Sequence, residues 1–167
     1  MVKAARGAGR PWGIAEEAGW AAEWLARRGW PAAEAVSEWL AAPDDPDACP
    51  VALGLELAEG SAPPAGPVRR VEVAAEAPAP LLALPFLARA ARAWGQDARL
   101  AWRNGSLEVS REGEVAAQPG GRGLVGPGRP RLDPGLIAAL EVLALRTTVP
   151  SSDGSRGDAG PAGEDEG

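Results

Sequence analysis

The dipeptide Asn104-Gly105 constrains the fold of this chain more than any other short segment. Both central residues of a type I′ turn need a positive φ, and Asn-Gly adopts it readily, so the dipeptide predicts a two-residue β-hairpin. The register that follows places four apolar side chains on one face in two cross-strand pairs. These pairs are Trp102 with Leu107 and Leu100 with Val109. A third strand is expected from about 115 to 118, after a turn at Glu112-Gly113.

Proline and glycine divide the rest of the chain into short elements. Gly29 suits the position just after a helix, Pro31 the first position of the next helix, and Asp133 an N-cap. Periodic apolar residues predict helices over 14–28, 31–42, 81–94 and 134–146. Alternating or β-branched runs predict strands that begin near 51, 68, 98, 106 and 115.

These elements predict an α+β protein with a mainly antiparallel sheet. A β-meander over about 98–118 packs against the N-terminal helix pair and two further helices. We expect one domain over residues 1–150 and an acidic, disordered tail over 151–167, because the tail has no large apolar residue. The tail holds five acidic residues and one arginine, so it contributes −4 to the net charge of −6.

Composition excludes several functions. Strong binding to nucleic acid or to an anionic membrane needs a basic footprint, and no segment supplies one. No stretch approaches the ~20 apolar residues of a membrane span, and the N-terminus lacks the apolar core of a signal peptide. Cys49 is the only cysteine, so an intramolecular disulfide is impossible and the expected location is the cytoplasm.

The absence of histidine and tyrosine weighs against an enzyme. Histidine is the most frequent general acid or base and the centre of the Ser-His-Asp relay, so both mechanisms lose their key residue. A carboxylate-based site remains conceivable. Glu16 or Glu17 would act beside Trp12, whose aromatic wall would raise the carboxyl pKa, and would pair with Arg146. The alternative is that both glutamates lie in the first helical turn and complement the helix dipole.

Seven tryptophans in 167 residues offer a second kind of site. Large aromatic side chains usually fill a core, but the narrow alanine and leucine stripe of the first helix cannot cover all of them. We therefore expect part of this set to form a ligand or partner surface on the N-terminal helices. The candidates are Trp12, Trp20, Trp24 and Trp39.

Three further patterns carry no site. The segment 121–126 matches the letters of a dinucleotide fingerprint, but prolines follow where a helix must start. Asp44, Asp45 and Asp47 lack the later glycine and glutamate of a calcium loop. Cys49 has no nearby base in the sequence that would activate a thiol. No cofactor and no metal are therefore predicted.

Three segments of the chain resemble a family of small bacterial proteins known only as a domain of unknown function. They are Ala4–Gly9, then Pro11–Gly19 with Trp24–Gly29, and last Leu145–Pro150. The chain departs from the family pattern at Thr148, where an aromatic residue is expected, and in its acidic tail. It also lacks most of the helical segment that usually precedes Ala-Arg-Gly, which suggests a shortened, divergent member.

The resemblance implies no known activity, so three functions stay open. The first is a non-catalytic accessory protein that binds another protein through the tryptophan-bearing helices. The second is an enzyme subunit that uses Glu16 or Glu17 with Arg146 in a tryptophan-lined cleft. The third is a module that binds a small molecule in the same cleft without chemistry.

Overall fold

The structure, a computed structural model, describes residues 1–60, 68–72, 78–103, 105–117 and 133–147. Within these ranges lie six α-helices and four strands, so the protein is a mixed α/β molecule. The helices are α1 (Val2–Gly7), α2 (Trp12–Arg27), α3 (Ala32–Ala41), α4 (Pro50–Glu59), α5 (Leu84–Trp94) and α6 (Pro134–Leu145). The strands are β1 (Val68–Glu72), β2 (Asp97–Trp102), β3 (Gly105–Val109) and β4 (Val115–Ala117).

The sheet is mixed, so the prediction of a mainly antiparallel meander is wrong. Its strand order is β1-β2-β3-β4, with β1 parallel to β2 and the other two pairs antiparallel. A parallel pair needs a crossover connection, which is usually a helix. Here α5 lies between β1 and β2 in the chain and packs on β2 and β3.

The predicted hairpin is present, but its register differs by two residues. Trp102 pairs with Gly105 and Leu100 with Leu107. A slip of two residues keeps every side chain on its predicted face, and both leucines are buried. A Cβ on Gly105 would lie 2.9 Å from Cζ2 of Trp102. The absence of a side chain at Gly105 therefore leaves room for the indole ring against β3. Asn104 lies outside the described residues.

The segment that begins near residue 51 is helical, so the strand predicted there is wrong. Pro50 takes the first position of α4, which packs on α5. A Cβ on Gly54 would lie 2.4 Å from Cδ2 of Phe86, so this close approach depends on the glycine. The alternation of Val51 and Leu53 suggested a strand, but contacts with α5 decide the conformation.

The basic, glycine-rich N-terminus forms the short helix α1, which the sequence did not indicate. Ala4 and Ala5 are buried, and α1 packs against α2 and α6. A Cβ on Gly7 would lie 1.7 Å from the carbonyl oxygen of Leu143 in α6. Only a glycine allows the two backbones to meet so closely.

Helix ends were predicted well. Gly29 has a φ of +76° and follows α2, as expected of a residue after a helix. The Asp133 side chain accepts a hydrogen bond of 3.1 Å from the Leu136 amide and caps α6. The predicted apolar face of α6 is only partly covered: Leu140 is buried, but Ile137 is exposed.

Several predictions fall on residues outside the described ranges. They are the motif over 121–126, Thr148 and the acidic tail over 151–167. Among the helices that the structure describes, none combines the length and apolar character needed to cross a bilayer.

Candidate functional site

The two candidate carboxylates lie on α2, but not in its first turn. Because the helix begins at Trp12, Glu16 and Glu17 occupy the second turn and do not complement the helix N-terminus. Glu16 is exposed and Glu17 half-buried. Neither makes an ion pair with Arg146 or with any other residue that the structure describes.

Arg146 and Trp12 both lie beside α1. The Cβ of Arg146 is 3.4 Å from the position that a Cβ on Gly7 would take. The guanidinium of Arg6 stands over the Trp12 ring, 5.6 Å from its centroid. Trp12 is 60% exposed. Packing of α1 on α6 thus brings the two ends of the described chain together, and a site formed by Glu16 or Glu17 with Arg146 stays a prediction.

The tryptophans of the predicted surface occupy different environments. Trp39 is only 2% exposed, so it belongs to the core and must be removed from the partner surface. Trp24 is half-buried beneath Arg28, whose guanidinium lies 3.8 Å from the ring centroid. Trp20 is 37% exposed, and its ring meets Phe86 edge-on at 5.0 Å between centroids. Trp12 and Trp20 are therefore the exposed members of the set.

Trp39 is buried because Arg10 covers it. The Arg10 side chain is 4% exposed, and its guanidinium lies 5.0 Å from the centroid of the Trp39 ring. Nη2 donates hydrogen bonds of 3.0 Å to the carbonyls of Trp39 and Ala42, and Nη1 bonds to Asp44. These carbonyls end α3, which has no basic residue in its own last turn. Arg10 therefore caps α3 from a distant part of the sequence.

A cavity of about 550 Å³ opens beside α2 and the start of α3. We call it the α2–α3 groove. The described residues that line it are mainly small or apolar. They are Met1, Val2, Gly19, Trp20, Ala22, Glu23, Ala26, Trp30, Ala32, Ala33 and Glu34.

Two tryptophans shape this groove. Trp30 is buried and fixed by a backbone hydrogen bond of 3.0 Å from its amide to the Leu25 carbonyl. Trp20 is more exposed and is supported by its contact with Phe86. Gly19 lets α1 approach, because a Cβ there would lie 2.5 Å from Cγ2 of Val2. The groove therefore exists only because α1 docks on α2.

Two carboxylates line the same groove. Glu23 forms an ion pair with Arg27 at 2.5 Å, one turn later on the exposed side of α2. Glu34 lies in the first turn of α3 and makes no ion pair with another described residue. Among the described lining residues, these two carboxylates are the only ionisable side chains. Glu23 is paired with Arg27, and Met1, which carries the α-ammonium group, also lines the groove, so Glu34 is the one unpaired carboxylate described in a mainly apolar groove.

The described residues include no group of three acidic or cysteine side chains arranged to hold a metal ion. Asp44 is bound to Arg10, and Asp45 accepts a hydrogen bond of 3.0 Å from the Asp47 amide. Cys49 is half-buried at the N-cap of α4. Because a strand was predicted from about residue 51, no pattern in the sequence indicated that Cys49 lies at the start of a helix.

Neither Arg10 nor Trp30 was predicted from the sequence to have a special role. Arg10 directly follows the motif Ala4–Gly9, but the burial of Ala4 and Ala5 beside it is seen only in the folded structure. Trp30 precedes Pro31, and this proline predicts a connection between two helices. It does not predict that the Trp30 ring is buried. No local pattern identifies either residue, because each role depends on contacts between separate helices.

Comparison with known proteins agrees with the N-terminal part of the resemblance. Residues 1–63 match the family described as "Protein of unknown function (DUF3726)". No curated protein and no solved structure matches the chain. The matched region contains α1 to α4, and hence the buried Arg10 and the lining of the α2–α3 groove. An uncharacterised family thus matches the helical part of the protein that lines the α2–α3 groove.

Proposed function

We propose that this protein is a non-catalytic interaction protein that holds an apolar, basic segment of a partner protein in the α2–α3 groove. The observation that carries the proposal is the groove itself, an apolar cavity of about 550 Å³ with carboxylates along it. Exposed apolar concavities on soluble proteins mark sites of interaction. The partly exposed Trp20 is the anchor, since tryptophan is enriched among residues that dominate binding energy.

The lining of the groove favours binding over chemistry. Its described residues include no serine, threonine, cysteine or lysine that could act as a nucleophile. The only candidate acids or bases are Glu23, already paired with Arg27, and Glu34. General acid–base catalysis needs groups positioned about a reacting atom. Two carboxylates along an apolar wall supply neither a hydroxyl, thiol or amine nucleophile nor a group that stabilises developing negative charge.

The charge of the groove defines the partner. An aliphatic or aromatic side chain would fill the space between Trp20 and Trp30 and lose its contact with water. A lysine or arginine next to it would meet Glu34, which has no cationic partner among the described residues. An acidic segment would face repulsion from the same carboxylate.

Peptide display against the purified full chain tests this proposal. We expect selected peptides to combine an apolar residue with a flanking lysine or arginine. Ala26→Phe should abolish their binding by filling the groove from an exposed position on α2. Trp20→Ala should weaken it at least about tenfold, as loss of an anchor does.

Trp12→Ala is the matched control, because Trp12 is exposed on the same helix and does not line the groove. It should leave the affinity unchanged. Far-UV circular dichroism of each variant checks that the fold is retained. Selected peptides that are acidic, or whose binding survives both groove substitutions, would contradict the proposal.

A second function, binding of a small apolar amine, is favoured by the volume of the groove. Ligand pockets of roughly 300–1,000 Å³ with few polar groups are typical of small-molecule sites. Titration with benzylamine derivatives, followed by tryptophan fluorescence, distinguishes the two. Saturable binding that Ala26→Phe abolishes, together with a failed peptide selection, would favour the small molecule.

A further inference from the structure

A smaller cavity of about 200 Å³ also borders Trp20, where the end of α2 meets α5. Its most distinctive feature is a set of three arginines. The described residues that line it are Trp20, Trp24, Arg28, Pro85, Ala88, Arg89, Arg92 and Gly113. No carboxylate is among them, although the whole chain has a net charge of −6.

None of the three arginines is neutralised by a carboxylate that the structure describes. Arg28 stacks on the Trp24 ring and has only a long contact of 3.5 Å with its carbonyl. Arg92 donates a hydrogen bond of 2.7 Å to the carbonyl of Glu112. Arg89 makes no hydrogen bond or ion pair with another described residue.

Five arginines that lie outside this cavity do make described ion pairs. Each has an aspartate or glutamate within salt-bridge distance. They are Arg10, Arg27, Arg70, Arg99 and Arg111. Lys3, Arg6, Arg103 and Arg146 also lack a described ion pair but do not line the cavity, so its distinguishing feature is that three such cations converge on one concavity.

Helix dipoles explain only part of this arrangement. Arg28 caps α2 and Arg92 lies in the last turn of α5, so both complement the negative end of a helix. Arg89 lies one turn earlier, on the same face as Arg92. This position is in the middle of α5, where the helix dipole does not stabilise a cation. The three side chains are exposed, so water screens part of their mutual repulsion, and an anion that enters the concavity relieves it further.

We propose that this cavity binds the phosphate group of a small phosphate monoester. Guanidinium groups bind phosphate through paired, charge-assisted hydrogen bonds, which suits convergence from two helices. A cavity of about 200 Å³ accommodates the phosphate and not a whole ligand, so the organic part lies against Trp20. Gly113 keeps the site open, because a Cβ there would lie 3.1 Å from Nη2 of Arg92.

Titration of the full chain with phenyl phosphate at constant ionic strength tests the proposal. The readout is the indole N–H resonances of Trp20 and Trp24 in ¹⁵N correlation spectra, assigned through Trp→Phe variants. We expect saturable shifts of both resonances. Benzoate, with one negative charge and two oxygens, should bind more weakly than the dianionic monoester.

Arg89→Gln is the decisive variant, because the Arg89 side chain is exposed and makes no described hydrogen bond or ion pair that the substitution would break. It should weaken phenyl phosphate binding at least about tenfold, as expected for one charge-assisted contact. Arg92→Gln should weaken it as well. Arg27→Gln removes a neighbouring arginine that is paired with Glu23 and does not line the cavity, so binding should be unchanged.

Three outcomes would overturn the proposal. The first is the absence of saturable shifts with phenyl phosphate. The second is an equal response to added potassium chloride, which would show general screening. The third is equal affinity in wild type and Arg89→Gln. If the protein bound a single-stranded oligonucleotide tightly but did not respond to phenyl phosphate, the ligand would be a polymer and the proposal of a small monoester would be wrong.

Discussion

Among the three described arginines that lie over tryptophan rings, Arg10 is in the interior and Arg28 is on the surface. Arg10 lies 5.0 Å from the centroid of Trp39, and Arg28 lies 3.8 Å from that of Trp24. The closer pair is the exposed one. Arg10 also donates two hydrogen bonds to carbonyls at the end of α3, whereas Arg28 has only its 3.5 Å contact.

The difference shows that stacking distance does not decide the role of such a pair. A buried carbonyl without a donor costs free energy, so the acceptors around Arg10 make it structural. An exposed cation over a ring contributes little to stability, since water solvates it in either state. The Arg28 side chain therefore remains available for a ligand, whereas both terminal nitrogens of Arg10 are bonded within the protein.

Arg10→Met should have the largest effect on stability. Methionine keeps much of the apolar contact with Trp39 but removes the donor to the Ala42 carbonyl, and it leaves the Trp39 carbonyl with only its 3.3 Å bond from the Ala42 amide. We expect the free energy of unfolding to fall by ~2–4 kcal/mol. Chemical denaturation followed by far-UV circular dichroism measures the change.

Arg10→Lys is the control that separates charge from geometry. Lysine keeps the positive charge but lacks the planar fork, so it should recover only part of the loss. If Arg10→Met cost less than about 1 kcal/mol, water would replace the guanidinium and the cap would not be structural.

Arg28→Met should change stability by only ~0.5 kcal/mol, the typical contribution of an exposed cation–π contact. The same variant should weaken phenyl phosphate binding, so its two readouts should diverge. Denaturation and the indole titration together measure this. A loss of stability as large as that of Arg10→Met would erase the distinction between the two pairs.

Asp44→Asn should have the smallest effect. Its carboxylate bonds to Nη1 of Arg10 but is 66% exposed. Water screens the exposed carboxylate, and asparagine keeps an oxygen that can accept a hydrogen bond from Nη1, so we expect a change of ~0–0.5 kcal/mol that shrinks further at high salt. Denaturation at two salt concentrations measures it, and a loss near that of Arg10→Met would show that Asp44 holds the arginine in place.

Predictions from the sequence succeeded where short-range physics decides the structure. The stop at Gly29 depends on a positive φ that glycine adopts without strain, and the cap at Asp133 on one side chain and one nearby amide. The hairpin was also correct in its faces, because the alternation of side chains in a strand has a period of two.

Predictions failed where distant segments decide the structure. The helix at Pro50–Glu59 is stabilised by its contact with α5, and α1 by its contact with α6. A helix of six residues is unstable alone, since helix nucleation is costly. The register of β3 shifted because the Trp102 ring packs across Gly105, a contact between two strands.

The candidate sites follow the same division. Trp12, Trp20 and Trp24 were identified from the sequence as surface candidates, and each is at least partly exposed. The groove needed Val2, Trp30 and the start of α3, which only the docking of three helices brings together. The arginine cavity needed α5 beside the end of α2, and nothing in either segment predicts that neighbour.

The sequence by itself determined where helices stop, which faces of the hairpin are apolar, and which catalytic residues are lacking, because these follow from single residues and their near neighbours. The tertiary structure alone decided that β1 runs parallel to β2, that Arg10 is buried, and that Trp20 borders both the α2–α3 groove and the cavity lined by three arginines. The burial of a side chain and the charges around it depend on packing between segments that are far apart in the chain. The pattern of neighbouring residues in the sequence therefore does not predict them.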